Sequence, residues 1–112
     1  ISPTQHIYKN KKSKYKQVKP VSYSIIKSGL IGLTKYTSTY WATDNVRCNA
    51  IAPGGVYNFQ NKSFLNKVSK LIPMKRLAKK EEVGHLLIFL LSDLSSYING
   101  AVMSVDGGRT AW

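Results

Sequence analysis

Tyr23-Ser-Ile-Ile-Lys27-Ser-Gly-Leu-Ile-Gly-Leu-Thr-Lys35 is the stretch on which the reading of this chain turns. Around it, Ile26, Leu30, Leu33, Thr37 and Trp41 recur at three- or four-residue steps, which predicts a long helix over Val21–Ala42 with an apolar stripe. Tyr23 and Lys27 are four residues apart, about one helical turn, so both side chains leave the same face as neighbours. A free tyrosine ionises near pH ~10 and exchanges protons poorly at neutrality. An ammonium within about 4 Å, at an effective dielectric of about 20, favours the phenolate by up to ~4 kcal/mol. That is roughly three pKa units before screening. The pair therefore predicts a general acid/base working on an oxygen that gains or loses a proton.

The elements after this helix alternate. Asn45 closes the helix, and Val46–Ala52 reads as a strand running into the breaker Pro53-Gly54-Gly55. Ser63–Leu71 reads as a short helix with Ser63 as its N-cap and Phe64, Leu65, Val68, Leu71 and Ile72 as its apolar side. Glu81–Leu91 reads as another helix, with acids in the first turn where the macrodipole favours them. Val83, Leu86, Leu87, Leu90 and Leu91 form its packing face. Ala101–Val105 reads as a second strand, ending at Asp106-Gly-Gly108. Two strands joined through helices fit a parallel crossover.

The helix around Tyr23 and Lys27 resembles the active-site helix of the short-chain dehydrogenase/reductase family. Asn45-Val-Arg-Cys-Asn-Ala-Ile-Ala-Pro53-Gly54 is similar to the family's next strand and the Pro-Gly turn beside the nicotinamide. Ile72–Leu77 with Glu81–Val83 is similar to the return from the substrate loop into the following helix. Leu90–Asp93, Asn99-Gly100 and Val105–Gly108 match the closing helix, strand and C-terminal turn. The five segments span roughly residues 20 to 108.

The resemblance implies an α/β fold, the C-terminal portion of a Rossmann-like doubly wound parallel sheet. It also implies hydride transfer between NAD or NADP and a carbonyl or alcohol, with a sugar derivative as one candidate substrate. Tyr23 would be the acid/base. Lys27 would assist it and hold the cofactor ribose. Pro53, Gly54, Gly55 and Val56 would hold the nicotinamide carboxamide by backbone groups. Asn58 stands near the place of a threonine in the family. Gly29 and Gly32 would each cost roughly 1 kcal/mol against alanine, tolerable where a cofactor or partner helix comes close. Assembly as a dimer or tetramer through the Val21–Ala42 helix is implied as well.

The family's Gly-rich dinucleotide loop has no counterpart, since the first glycine is Gly29. The chain therefore reads as the C-terminal part of a longer enzyme, with the family's serine and asparagine expected upstream of Ile1. Residues 21–112 would be part of one Rossmann-like domain, and residues 1–20 a lysine-rich loop near the active site. A partial sheet should expose an edge and an apolar flank, giving poor independent stability and an inactive isolated chain.

Composition sets the remaining bounds. The net charge is +12, and Lys9, Lys11, Lys12, Lys14, Lys16 and Lys19 stand in the first 20 positions with no acid among them. With Tyr8 and Tyr15 between them, they raise a nucleic-acid-binding alternative. The excess is lysine rather than the arginine suited to bidentate contacts, which favours a solvated loop or a cationic lid toward an anionic substrate. A second alternative is a family relative that binds or scaffolds without catalysis. Cys48 is alone and reads as a small buried residue, Lys75 and Arg76 read as surface charges, and His6 and His85 have no metal-ligand spacing. The sequence has neither a signal-peptide pattern nor an apolar run near ~20 residues, so a cytoplasmic protein is expected.

Overall fold

The computed structural model describes residues 3–8 and 18–111. Its elements are α1 (Val21–Tyr40), β1 (Ala50–Pro53), α2 (Lys62–Ser69), α3 (Lys80–Leu91) and β2 (Val102–Val105), with short 3-10 turns at Gln5–Tyr8, Ala42–Asp44 and Asp93–Ser95. The strands pair in parallel, Ala50 opposite Val102 through Pro53 opposite Val105. This is the crossover expected of an α/β fold, with α2 and α3 between its strands.

Both strands are shorter than their sequence patterns suggested, because asparagine side chains occupy the first rungs. Asn99 Oδ1 accepts from the Cys48 N–H at 2.9 Å, and Asn49 Oδ1 accepts from the Ala101 N–H at 2.9 Å. Asn49 Nδ2 also donates to the Ile98 carbonyl at 2.8 Å. Backbone pairing takes over with Gly100 N–H to the Cys48 carbonyl and Ala50 N–H to the Ala101 carbonyl, each 2.8 Å. Cys48 is half-buried beside this junction rather than buried.

Helix α1 starts directly after Pro20, whose fixed φ of −58° suits a helix start. Its C-terminal end relaxes through the 3-10 turn into Asn45, which takes the left-handed conformation at φ 58°. The packed face is not the apolar stripe. Thr34 and Ser38 are its buried residues, whereas Ile26, Leu30, Leu33 and Trp41 are exposed. Ser38 sits so close to Gly100 that a Cβ there would lie 2.8 Å from Ser38 Oγ, and Gly100 has φ +72°. The Asn99 amide donates to the Ser38 carbonyl at 2.8 Å. No atom outside the local helix stands within 4 Å of a Cβ built at Gly29 or Gly32, so this chain itself supplies no close neighbour for them.

The core lies under the other helices. Ile7, Val68, Ile72 and Leu77 are buried together, with Phe64, Leu65 and Leu71 packed on them. Ile7 adds to the reading of residues 1–20 as a lysine-rich loop: the Gln5–Tyr8 turn seats one apolar side chain in the core. Lys9, Lys11, Lys12, Lys14 and Lys16 lie outside the described residues. Helix α2 is capped by Asn61, not Ser63, since Asn61 Oδ1 accepts from the Phe64 N–H at 2.8 Å. Both residue types are good caps, and the helix begins earlier than its apolar spacing indicated.

In α3, Leu90 is buried, while Leu87 and Leu91, expected on the packing face, are exposed. Arg47 ties its C-terminal end, donating to the carbonyls of Leu90 at 2.9 Å and Ile98 at 3.3 Å. His85 is exposed, consistent with its expected solvent role. No helix among the described residues is long and apolar enough to cross a membrane.

Two outcomes follow from this packing. The 112-residue chain alone should not give a single cooperative calorimetric melt as a monomer in sedimentation, because so much of α1 has no cover. Gly100→Ala in the full-length protein should cost about 1–3 kcal/mol by denaturant unfolding, from left-handed strain and the crowded Ser38 hydroxyl.

Candidate active site

Tyr23 stands in the first turn of α1, where its N–H donates to the Pro20 carbonyl at 3.1 Å. The side chain is 42% exposed. One turn later, Lys27 places Nζ 5.8 Å from the Tyr23 ring centroid. The local helix puts both side chains on one face, at a distance longer than the ~4 Å assumed from the sequence. Lys19 also reaches this ring, with Nζ 4.9 Å from the centroid. The sequence reading had grouped Lys19 with the loop lysines. The signal that could have found it is its four-residue spacing before Tyr23, obscured by Pro20 between them.

Pro53, Gly54, Gly55 and Val56 form one turn at the carboxyl end of β1, the end at which ligands bind in open α/β sheets. Gly54 donates to the Val105 carbonyl at 2.9 Å, and a Cβ on it would lie 2.8 Å from Asp106 Cα. A Cβ on Gly55 would lie 2.5 Å from Leu77 Cδ2. The two glycines therefore let the turn lie against the Asp106 turn and Leu77. Neither contact is with open space.

Val56 then makes a parallel bridge with Ala78. Its rungs run from the Ala78 N–H to the Gly55 carbonyl at 2.9 Å and from the Tyr57 N–H to the Ala78 carbonyl at 2.8 Å. In such a bridge the peptide groups of Val56 itself point away from Ala78. The Val56 carbonyl accepts from Gln60 Nε2 at 2.9 Å. The Val56 N–H takes part in none of the hydrogen bonds among the described residues. Asn58 is exposed and gives its own N–H to Gln60 Oε1 at 2.8 Å.

The residues beside the turn are held by charge. Arg76 and Glu82 form a bidentate pair with both N···O distances 2.7 Å, so Arg76 is an exposed surface charge, as expected, anchored by its partner. The Arg76 bond, followed by the Lys79 N–H, lowers the Glu82 pKa to about 2. Asp106 is held below the usual carboxylate range by the Thr110 hydroxyl, helped by the N–H groups of Gly108, Thr110 and Arg109, against the opposing effect of burial. A recess of about 80 Å³ lies here, lined in part by Gly55, Arg76, Glu82 and Asp106. A larger hollow of about 360 Å³, between α2 and residues 75–79, is lined by neither Tyr23 nor Lys27.

The chain thus contains two local groups, the Tyr23–Lys27 pair and the Pro53–Val56 turn. No hydrogen bond among the described residues joins them. Also among the described residues, no three His, Cys, Asp or Glu side chains are placed to hold a metal.

Comparison with known proteins supplies the context. The family model for enoyl-(acyl carrier protein) reductase matches residues 10–110. Oxidoreductase UcpA of Escherichia coli K12 is 39% identical across 80% of this chain and 38% of its own length. The 3-oxoacyl-(acyl-carrier-protein) reductase FabG of Thermotoga maritima is 38% identical across 78% of this chain and 37% of its own. Among solved structures, a short chain dehydrogenase from Leptospira borgpetersenii with bound NAD+ superposes with a TM-score of 0.83. It is 31% identical and covers 98% of this chain, which spans 39% of it. YwfH, an NADPH dependent reductase involved in bacilysin biosynthesis, gives a TM-score of 0.75 at 30% identity, over 83% of this chain and 41% of its own. The chain therefore spans less than two-fifths of the curated relatives it matches.

The Arg76–Glu82 pair carries a pH dependence. A depressed carboxylate pKa adds stability that is complete above the ordinary value of 4.5 and is lost as the pH falls toward about 2. The Glu82 carboxyl carbon should titrate near 2 in the full-length protein by NMR. In Arg76→Gln its midpoint should rise toward the ordinary value.

Proposed function

The chain belongs to the short-chain dehydrogenase/reductase family, and we propose that it supplies the acid/base and nicotinamide-side parts of an NAD(P)-dependent oxidoreductase acting on a carbonyl or alcohol. The observation that carries this reading is the Tyr23–Lys27 pair, one turn apart, with the Lys27 ammonium 5.8 Å from an accessible phenol ring.

The residues present fit the cofactor. The Val56 N–H can donate to a carboxamide oxygen. Lys27 has three donors for ribose hydroxyls. When bound, the nicotinamide supplies or takes the hydride. Tyr23 Oη gives a proton to the substrate oxygen during reduction and takes it back in the alcohol direction. Lys27 places positive charge 5.8 Å from the centre of that ring.

The solved relatives, one with NAD+ and one NADPH dependent, support both nicotinamides as candidates. The substrate proposed is a carbonyl or alcohol, with sugar derivatives as one arm of the panel to be tried. The exposed apolar residues of α1 further support a homo-oligomer, with the remainder of the sheet as the competing cover.

The test is nicotinamide absorbance turnover by the full-length enzyme, wild type beside Tyr23→Phe, over small carbonyl, acyl-thioester and sugar-derived substrates. Tyr23→Phe should reduce kcat by about 10²–10⁴-fold while cofactor binding persists. Unchanged turnover in the variant would remove Tyr23 from the mechanism.

A further inference from the structure

Lys19 lies outside the helix that carries Tyr23 and Lys27, yet its position is fixed from two sides. Gln5 Oε1 accepts from the Lys19 N–H at 2.9 Å, and Gln5 Nε2 donates to the Lys19 carbonyl at 3.3 Å. One carboxamide thus holds both backbone groups of a residue 14 positions away. Pro20 follows with its restricted φ, and its carbonyl accepts the Tyr23 N–H. The Lys19 side chain leaves this fixed backbone and places Nζ 4.9 Å from the Tyr23 ring centroid, closer than Lys27. Both distances fall within the roughly 6 Å over which a cation and an aromatic face attract.

We propose that Lys19 is a positioning residue for the Tyr23 acid/base, a second cation held on the ring by Gln5. The inference rests on the reading of Tyr23 as the acid/base. The charged groups facing the ring are Lys19 from the incoming segment and Lys27 from α1. The chain's first carboxylate is Asp44, beyond the far end of α1 and about 30 Å along its axis from Tyr23. Residues 1–43 contain no Asp or Glu. Against a neutral phenol each cation feels only the ring quadrupole. Against negative charge developing on Oη each feels a full opposite charge.

The experiment is the pH profile of kcat/KM for the full-length enzyme in Lys19→Gln, Lys19→Arg and Gln5→Met, beside Tyr23→Phe. For alcohol oxidation, in which Tyr23 accepts the proton, Lys19→Gln should move the rising limb upward by about half a pH unit, as expected for loss of one water-screened charge at this distance. Lys19→Arg should leave the limb near wild type. Gln5→Met should shift it in the same direction by a smaller amount, since the lysine remains but loses its tether. In wild type, added salt should reproduce part of the shift, a readout that does not depend on any variant folding. Superimposed Lys19→Gln and wild-type profiles, with Tyr23→Phe inactive, would overturn the proposal and leave Tyr23 in place. Full turnover by Tyr23→Phe would overturn the acid/base reading and this inference with it.

Discussion

The Asn99 carboxamide holds the chain's main elements in register. Its Oδ1 accepts from Cys48 just ahead of β1, and its Nδ2 donates to Ser38 near the end of α1. The residue itself leads into β2. One planar group therefore sets the spacing between a helix and two parallel strands. A group with an acceptor and donors on the same plane can do this, whereas a carboxylate has no donor for the Ser38 carbonyl. Gly100 completes the arrangement. Its missing side chain lets Ser38 approach, and its left-handed backbone turns the chain into the second strand. With the strands fixed at this end, the Pro53–Val56 turn is delivered at the other, where β1 stops.

That junction explains why the two expected site groups were unequally legible. Tyr23 and Lys27 meet because a helix brings residues four apart together, so their sequence spacing was sufficient. The glycines at 54 and 55 were legible as a turn. Their contacts with Asp106 and Leu77 depend on chain distant in sequence, so their packing role could not be read locally. The same holds for the Val56 N–H. Its outward direction follows from a bridge to Ala78, and no local pattern announces that bridge. Lys19 was hidden differently, as one lysine among six.

Element type was easier to read than element faces. The periodic stripe of α1 correctly announced a helix, but Ile26, Leu30 and Leu33 are exposed while Thr34 and Ser38 are buried. Periodicity reports which residues avoid water somewhere, not which neighbour covers them. Here the neighbour on the packed side is an asparagine–glycine corner that accepts small polar residues. The stripe faces outward, available to the rest of a sheet or to another copy. Ile7 is the converse case: a single apolar residue in a polar segment carries no period, yet the core of Val68, Ile72 and Leu77 takes it in.

The charge distribution connects these packing facts to the proposed chemistry. Acids are confined to Asp44 and later positions, and two of the five, Glu82 and Asp106, are committed to local bonds. Arg76 satisfies Glu82 beside the turn, and the Thr110 and Gly108 N–H groups satisfy Asp106 beneath Gly54. These carboxylates brace the turn and are poorly disposed to act as proton carriers. The groups left around the accessible phenol are cations from two different segments. The N-terminal segment thus does more than close a loop: through Gln5 it fixes the approach to α1, and through Lys19 it brings a second cation to the Tyr23 ring.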